Sequence, residues 1–189
     1  MSGYDAGAPS GGDALATALP LLRDTLVRIA DEARHVMIVT DATGRVLWRD
    51  TRRDPDSHPE HRWTPAACPV HEPDAGAVVG AVDVAGPVRT AVHPTTPALV
   101  LAAARLAEGL LAAQQAARDE LLLARFLPLL DHLRDEPAAL LTTSGRVLAS
   151  NPEGWLPERV PVTPDTGVLL TPLPDGWLLR LRVAEPAGQ

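Results

Sequence analysis

VTDATGRVLW, residues Val39–Trp48, sets two strand-forming apolar runs on either side of a turn. Asp41-Ala42-Thr43-Gly44 has turn chemistry, because Asp bonds nearby backbone and Gly accepts a positive φ. The β-branched run Val36–Val39 enters the turn and RVLW leaves it, which predicts a hairpin. About a hundred residues later the chain repeats the pattern as LTTSGRVLAS, Leu141–Ser150. Tight hairpins converge on such wording, so duplication and convergence both account for the match.

The same grammar continues outward from the first hairpin. AACPVHEPDAGAVVGAVDVAGP predicts an apolar strand, a turn at His71–Gly76 and a strand over Ala77–Val84, closed by Gly86-Pro87. The intervening TRRDPDSHPEHRWTP is polar and proline-rich and reads as loop. Upstream, Leu22, Leu26, Ile29, Ala30 and Ala33 recur at helical spacing, with Pro20 expected in the first turn of that helix. Downstream, Thr95 or Thr96 caps a helix with Pro97 in its first turn. Leu99, Leu106, Leu110, Ala113 and Ala117 are expected on one side of it, continued by Leu121 to Leu123, and Pro128 is expected to kink or end it. A short helix LPLLDHLRDE, the second hairpin copy, a proline-rich loop and the hairpin GVLLTPLPDGWLLRLRV complete the reading.

The expectation is an α+β fold: an antiparallel sheet flanked by helices, with a small C-terminal β appendage. Its parts are a flexible tail at 1–13, a domain at 14–126 that includes the long helix, and a helix-plus-hairpin appendage at 127–189. Hydrophobic content of 46% supports a packed core. No signal peptide is read at the start, and charges interrupt the apolar run from Pro97 to Leu127, so a soluble, cytoplasmic, non-membrane protein is expected. All 17 basic residues are Arg, which we read as the codon bias of a GC-rich bacterial genome. The net charge of −7 opposes general affinity for nucleic acid, and RDTRRD, Arg49–Asp54, interleaves its three Arg with Asp.

Three phrases resemble the GAF-type sensory domains of bacterial transcription regulators: VMIVTDATGRVLWRD, RWTPAACPVHEPDAGAVVGAVDVAGPVRTAVHP and PALVLAAARLAEGLL. The resemblance spans roughly Leu19 to Ala117 and implies a GAF/PAS-like sheet used for sensing. In that family a helix and a further central strand between the second strand and the W-T motif help wall a small-molecule pocket. Here Trp48 and Trp63 are joined directly by loop, and nothing after Asn151 has the helical period of a DNA-reading domain.

Candidate site residues follow from chemistry and position. Trp48 and Trp63 are expected to lie near each other and, with Cys68 and Val70, to line a small-ligand site. The alternative is that both rings plug the core. His58, His61, Cys68 and His71 have the ligand types of a zinc site, but strand alternation sends Cys68 and His71 to opposite faces. Loop histidines and a half-buried thiol are the preferred reading. A Cys68 nucleophile lacks a recognisable oxyanion hole and orienting acid. The expectation is therefore a non-enzyme without metal or cofactor. Its long helix, 97–126, is expected to form a homodimer seam through Leu99, Leu106, Leu110 and Ala113. A small molecule or a second protein are further expected partners. A stand-alone ligand-binding or enzyme-accessory protein using a Trp48/Trp63 cleft is the other reading.

Overall fold

Each hairpin found in the sequence pairs with another, and the result is two separate four-stranded antiparallel sheets. The computed structural model describes residues 11–33, 36–50, 63–87, 95–133, 136–163 and 167–181. Their order is α1 (Gly11–Ala33), β1 (Val36–Asp41), β2 (Val46–Arg49), β3 (Trp63–His71), β4 (Val78–Pro87), α2 (Thr95–His132), β5 (Ala138–Thr142), β6 (Val147–Asn151), β7 (Val168–Leu173) and β8 (Gly176–Leu181). The first sheet runs β2-β1-β4-β3 and the second β6-β5-β8-β7, so the two share one topology. The fold is α+β. Two compact units, residues 1–113 and 114–189, divide inside α2.

The repeated wording is carried through to atomic register. Ile38 faces Arg49 and Val39 faces Trp48; 101 residues on, Ala139 faces Ser150 and Leu140 faces Ala149. Both hairpins carry a bulge at the same place, between Val39 and Thr40 and between Leu140 and Leu141. Both turns close with the same bonds. Asp41 N–H donates to Arg45 O at 2.9 Å and Gly44 N–H to Asp41 O at 3.0 Å; Thr142 and Gly145 repeat these at 2.9 and 3.0 Å. Gly44 and Gly145 take φ of 85° and 86°, the left-handed conformation that a Cβ disfavours.

The first core lies between sheet and helices. Met37, Val39, Val70, Val82 and Val84 pack with Leu15, Ala18, Leu22 and Leu26 of α1 and with Val100, Ala103, Ala104, Ala107 and Leu111 of α2. The second sheet carries a core on each face. Ala138, Leu140 and Leu178 meet Leu130, Phe126 and Leu123 of α2. Ala139, Leu141 and Leu179 meet Trp155, Leu156, Val160 and Trp177 on the other side. Residues 138–141 are accordingly fully buried, and burial of Leu140 and Leu141 contributes about 2–3 kcal/mol each. The region read as a hairpin appendage is thus a sheet with its own cores.

Two prolines behave differently from expectation. Pro20 sits inside α1, not in its first turn, because Leu15 and Ala18 extend the buried stripe of Leu22 and Leu26 toward the N-terminus. Residues 11–13 of the expected tail are therefore helical, while 1–10 lie outside the described residues. Pro128 neither ends α2 nor separates a short helix. An interior Pro costs about 3 kcal/mol, and the burial of Leu122, Leu123, Phe126 and Leu130 on both sides of it offsets that cost. The side chains of Ile29, Ala30 and Ala33 and the loop at 51–62 lie outside the described residues.

By length and composition α2 could cross a bilayer, with a mean hydropathy of 1.4 over its most apolar window, a third of which is buried in the fold. Its apolarity serves the cores of both units. Its buried line is Val100, Ala103, Ala104, Ala107 and Leu111, offset from the side read in the sequence. In an Ala- and Leu-rich helix nearly every face is apolar, so periodicity cannot select the one that packs.

Candidate functional site

The rows of the first sheet place the candidate ligand residues. Trp48, Val39, Val82 and Cys68 form one row across β2, β1, β4 and β3. Alternation points this row toward the helices, where Trp48 and Cys68 pack half-buried against the core and Val70 is fully buried. Trp63 pairs with Pro87 at the far end of β3. Trp48 and Trp63 therefore sit on opposite edge strands, three strand spacings or roughly 14 Å apart, and in different rows. The Trp63 side chain lies outside the described residues. Cys68 is a free thiol, half-buried.

His71 departs from simple alternation. A bulge between Val70 and His71 shifts the register at the end of β3 and brings His71 to the helix side. There the His71 backbone N–H donates to Glu108 Oε1 at 3.0 Å, and its Nδ1 lies 2.7 Å from the same oxygen. Arg105 Nη1 donates to Glu108 Oε2 at 2.6 Å. The His71 ring bond, then the His71 N–H and the Arg105 guanidinium, hold the Glu108 carboxyl below its usual range against an opposing push from burial. With both oxygens bonded, Glu108 ties β3 to α2. That is an anchoring arrangement, and the sequence reading missed Glu108 although it is an isolated acid in an Ala-Leu run. His58 and His61, the other half of the candidate zinc set, lie outside the described residues; among those described, no three His, Cys, Asp or Glu gather as a metal site.

The opposite face of the same sheet carries Asp83, between Ile38 and Ala67 in register. Its Oδ1 is buried without a hydrogen-bond partner, and burial pushes its carboxyl above the usual range. The signal was present in VVGAVDVAG, where an acid interrupts an apolar strand.

The candidate dimer residues divide between two environments. Leu99 and Leu110 are half-buried against the first core, whereas Leu106 and Ala113 face solvent. Leu101, Leu106, Leu121, Leu127 and Leu129 are exposed along α2, Leu121 at 70%. The helix thus shows an apolar outer face, but along Leu106, Ala113, Ala117, Leu121 and Ala124.

No family model and no curated protein matches the chain. Among solved structures, a chain of the E. coli DhaR(N)–DhaL complex is similar at 14% identity, covering 97% of this chain and 93% of that chain with a TM-score of 0.47. At that level the likeness decides neither family nor function.

Proposed function

We propose that the protein is a non-catalytic regulatory module of the GAF-like kind, acting in the bacterial cytoplasm in transcription control or signalling through association with protein. One observation supports this most: α2 presents an exposed apolar strip through Leu106, Ala113, Ala117, Leu121 and Ala124. The association we propose first is a homodimer along α2, with protein partnership as the means of output. Small-molecule sensing is the second arm. It draws on the sequence resemblance and on the convergence of Trp48, Cys68 and Val70 toward one side of the first sheet.

Light scattering of the full chain, with melting curves across a metabolite library, tests both arms. A dimer mass that falls to monomer in Leu106→Glu supports association, and a melting shift supports sensing, because a ligand bound only to the folded state stabilises it by mass action. A monomer with no shift for any metabolite would sink the reading.

A further inference from the structure

The two sheets have one topology but unequal helical cover. A four-stranded sheet is roughly 19 Å wide, and a helix about 10 Å, so two helices are needed to close one face. The first sheet has two. Leu15 of α1 lies over β4 at Gly80, and Glu108 of α2 reaches the end of β3. In the second sheet Gly176 of β8 stands where Gly80 stands, and Leu122 of α2 lies over it as Leu15 does in the first. The second half of α2 therefore fills the place of α1. Among the described residues of 114–189, nothing fills the place over β7 that the first half of α2 fills over β3.

The side chains facing that place fit a missing helix. Leu169, Thr171 and Leu173 of β7 share a face with Leu178 and Arg180 of β8, the face that packs toward α2. Leu169 is 40% exposed, although the β3 positions under α2 are covered. Arg180 Nε is buried without an acceptor. That atom is closed off inside the unit, so an occupant would meet the outer part of a half-buried guanidinium, which favours a carboxylate. The occupant must therefore be a helix with small residues for close approach, one larger apolar side chain, and an acid.

We propose that this place takes α2 of a second copy of the chain, through Ala117, Leu121 and Ala124, with Glu120 meeting Arg180. All four of these α2 residues face solvent, and Leu121 is among the most exposed apolar residues described. The first half of the same helix already packs on a sheet in this manner, with Ala103, Ala104 and Ala107 inward and Glu108 bonded to a strand. Strip and vacant place belong to one unit, so a two-fold dimer covers both on each copy at once. The inference rests on α2 being the dimer helix and specifies what that helix sits on.

The test is sedimentation of the full chain with charge-swapped variants, each checked for an unchanged circular dichroism spectrum and melting profile. Arg180→Glu and Glu120→Arg should each weaken the dimer at least tenfold, and the two together should restore it, which no folding defect can do. Arg180→Gln serves if Arg180→Glu does not fold, and should weaken the dimer in the same sense. A dimer that dissociates in Leu106→Glu but persists in Arg180→Glu and Leu121→Glu overturns this inference and leaves the dimer reading standing. A wild-type monomer at every concentration overturns both.

Discussion

The first and second sheets share strand order, hairpin register, bulge position and a glycine under a helix leucine, yet they are finished differently. In the first, the hairpin acid Asp41 gathers its own turn: its Oδ1 accepts from Thr43 N–H at 2.9 Å, Thr43 Oγ1 at 2.6 Å and Arg45 N–H at 3.0 Å. The Thr43 hydroxyl foremost holds that carboxyl below its usual range. In the second, Thr142 takes the position, and Arg146 pairs instead with Asp119 of α2. The second hairpin is also held from outside, by Val147 N–H to Glu158 O at 2.9 Å and Val160 N–H to Gly145 O at 2.8 Å. The outward face differs too, with Asp83 where the second sheet has the fully buried Leu179. One backbone plan thus carries a self-contained hairpin in one unit and a docked one in the other.

The largest effect is expected at the shared glycines. A Cβ at Gly80 would overlap the Thr40 carbonyl and stand 2.5 Å from Leu15 Cδ2. At Gly176 it would overlap the Leu141 carbonyl and stand 2.6 Å from Leu122 Cδ2. Gly80→Ala and Gly176→Ala should each destabilise by about 3 kcal/mol, read by denaturant titration. A large loss in one and none in the other would mean that the two positions are not equivalent.

The turn glycines sharpen the difference between docked and free hairpins. Gly44→Ala meets nothing within 4 Å and should cost only the left-handed penalty of about 1 kcal/mol. Gly145→Ala also drives into the Val160 carbonyl and Val162, and should cost about 3 kcal/mol. Equal losses would show that the 158–160 segment does not hold the second hairpin.

Glu108→Ala removes the acceptor of the His71 backbone N–H and should cost about 1 kcal/mol near neutral pH. Because the folded-state carboxyl titrates below its unfolded value, this stability is complete above the ordinary carboxylate range. It should fade as pH falls through the depressed value, so wild type and variant converge in acid melting curves. Wild-type and Glu108→Ala curves that stay parallel through that range would remove the anchoring role.

The smallest effect is expected at Asp83. Asp83→Leu copies the second sheet and relieves a buried, unpartnered oxygen, so it should stabilise by about 1 kcal/mol or less. Burial raises this carboxyl, so its penalty is absent below the unfolded value and complete above the folded one. The advantage of the variant should therefore grow as pH rises through that window.

Local chemistry wrote much of this fold legibly. Turn residues at Asp41–Gly44 and Thr142–Gly145 fix both hairpins because a positive φ and a side-chain acceptor are properties of a few neighbouring residues. The alternation of Val78–Val84 and the start of α2 at Thr95 are local in the same sense. What the sequence left open depended on partners distant along the chain. The side of α2 that packs could not be chosen among alanines and leucines until sheets met it, and so Leu99 and Leu110 went inward while Leu106 and Ala113 stayed out. Pro20 and Pro128 are punctuation to a local reading, but burial on both sides of each carries the helices through. The bulge that swings His71 to Glu108 is a matter of pairing register, as is the separation of Trp48 from Trp63. By itself the sequence determined hairpins and helices, because these are short-range. Only the tertiary structure decided which hairpins share a sheet and which faces remain uncovered, because strand pairing and burial are made between residues far apart in the chain.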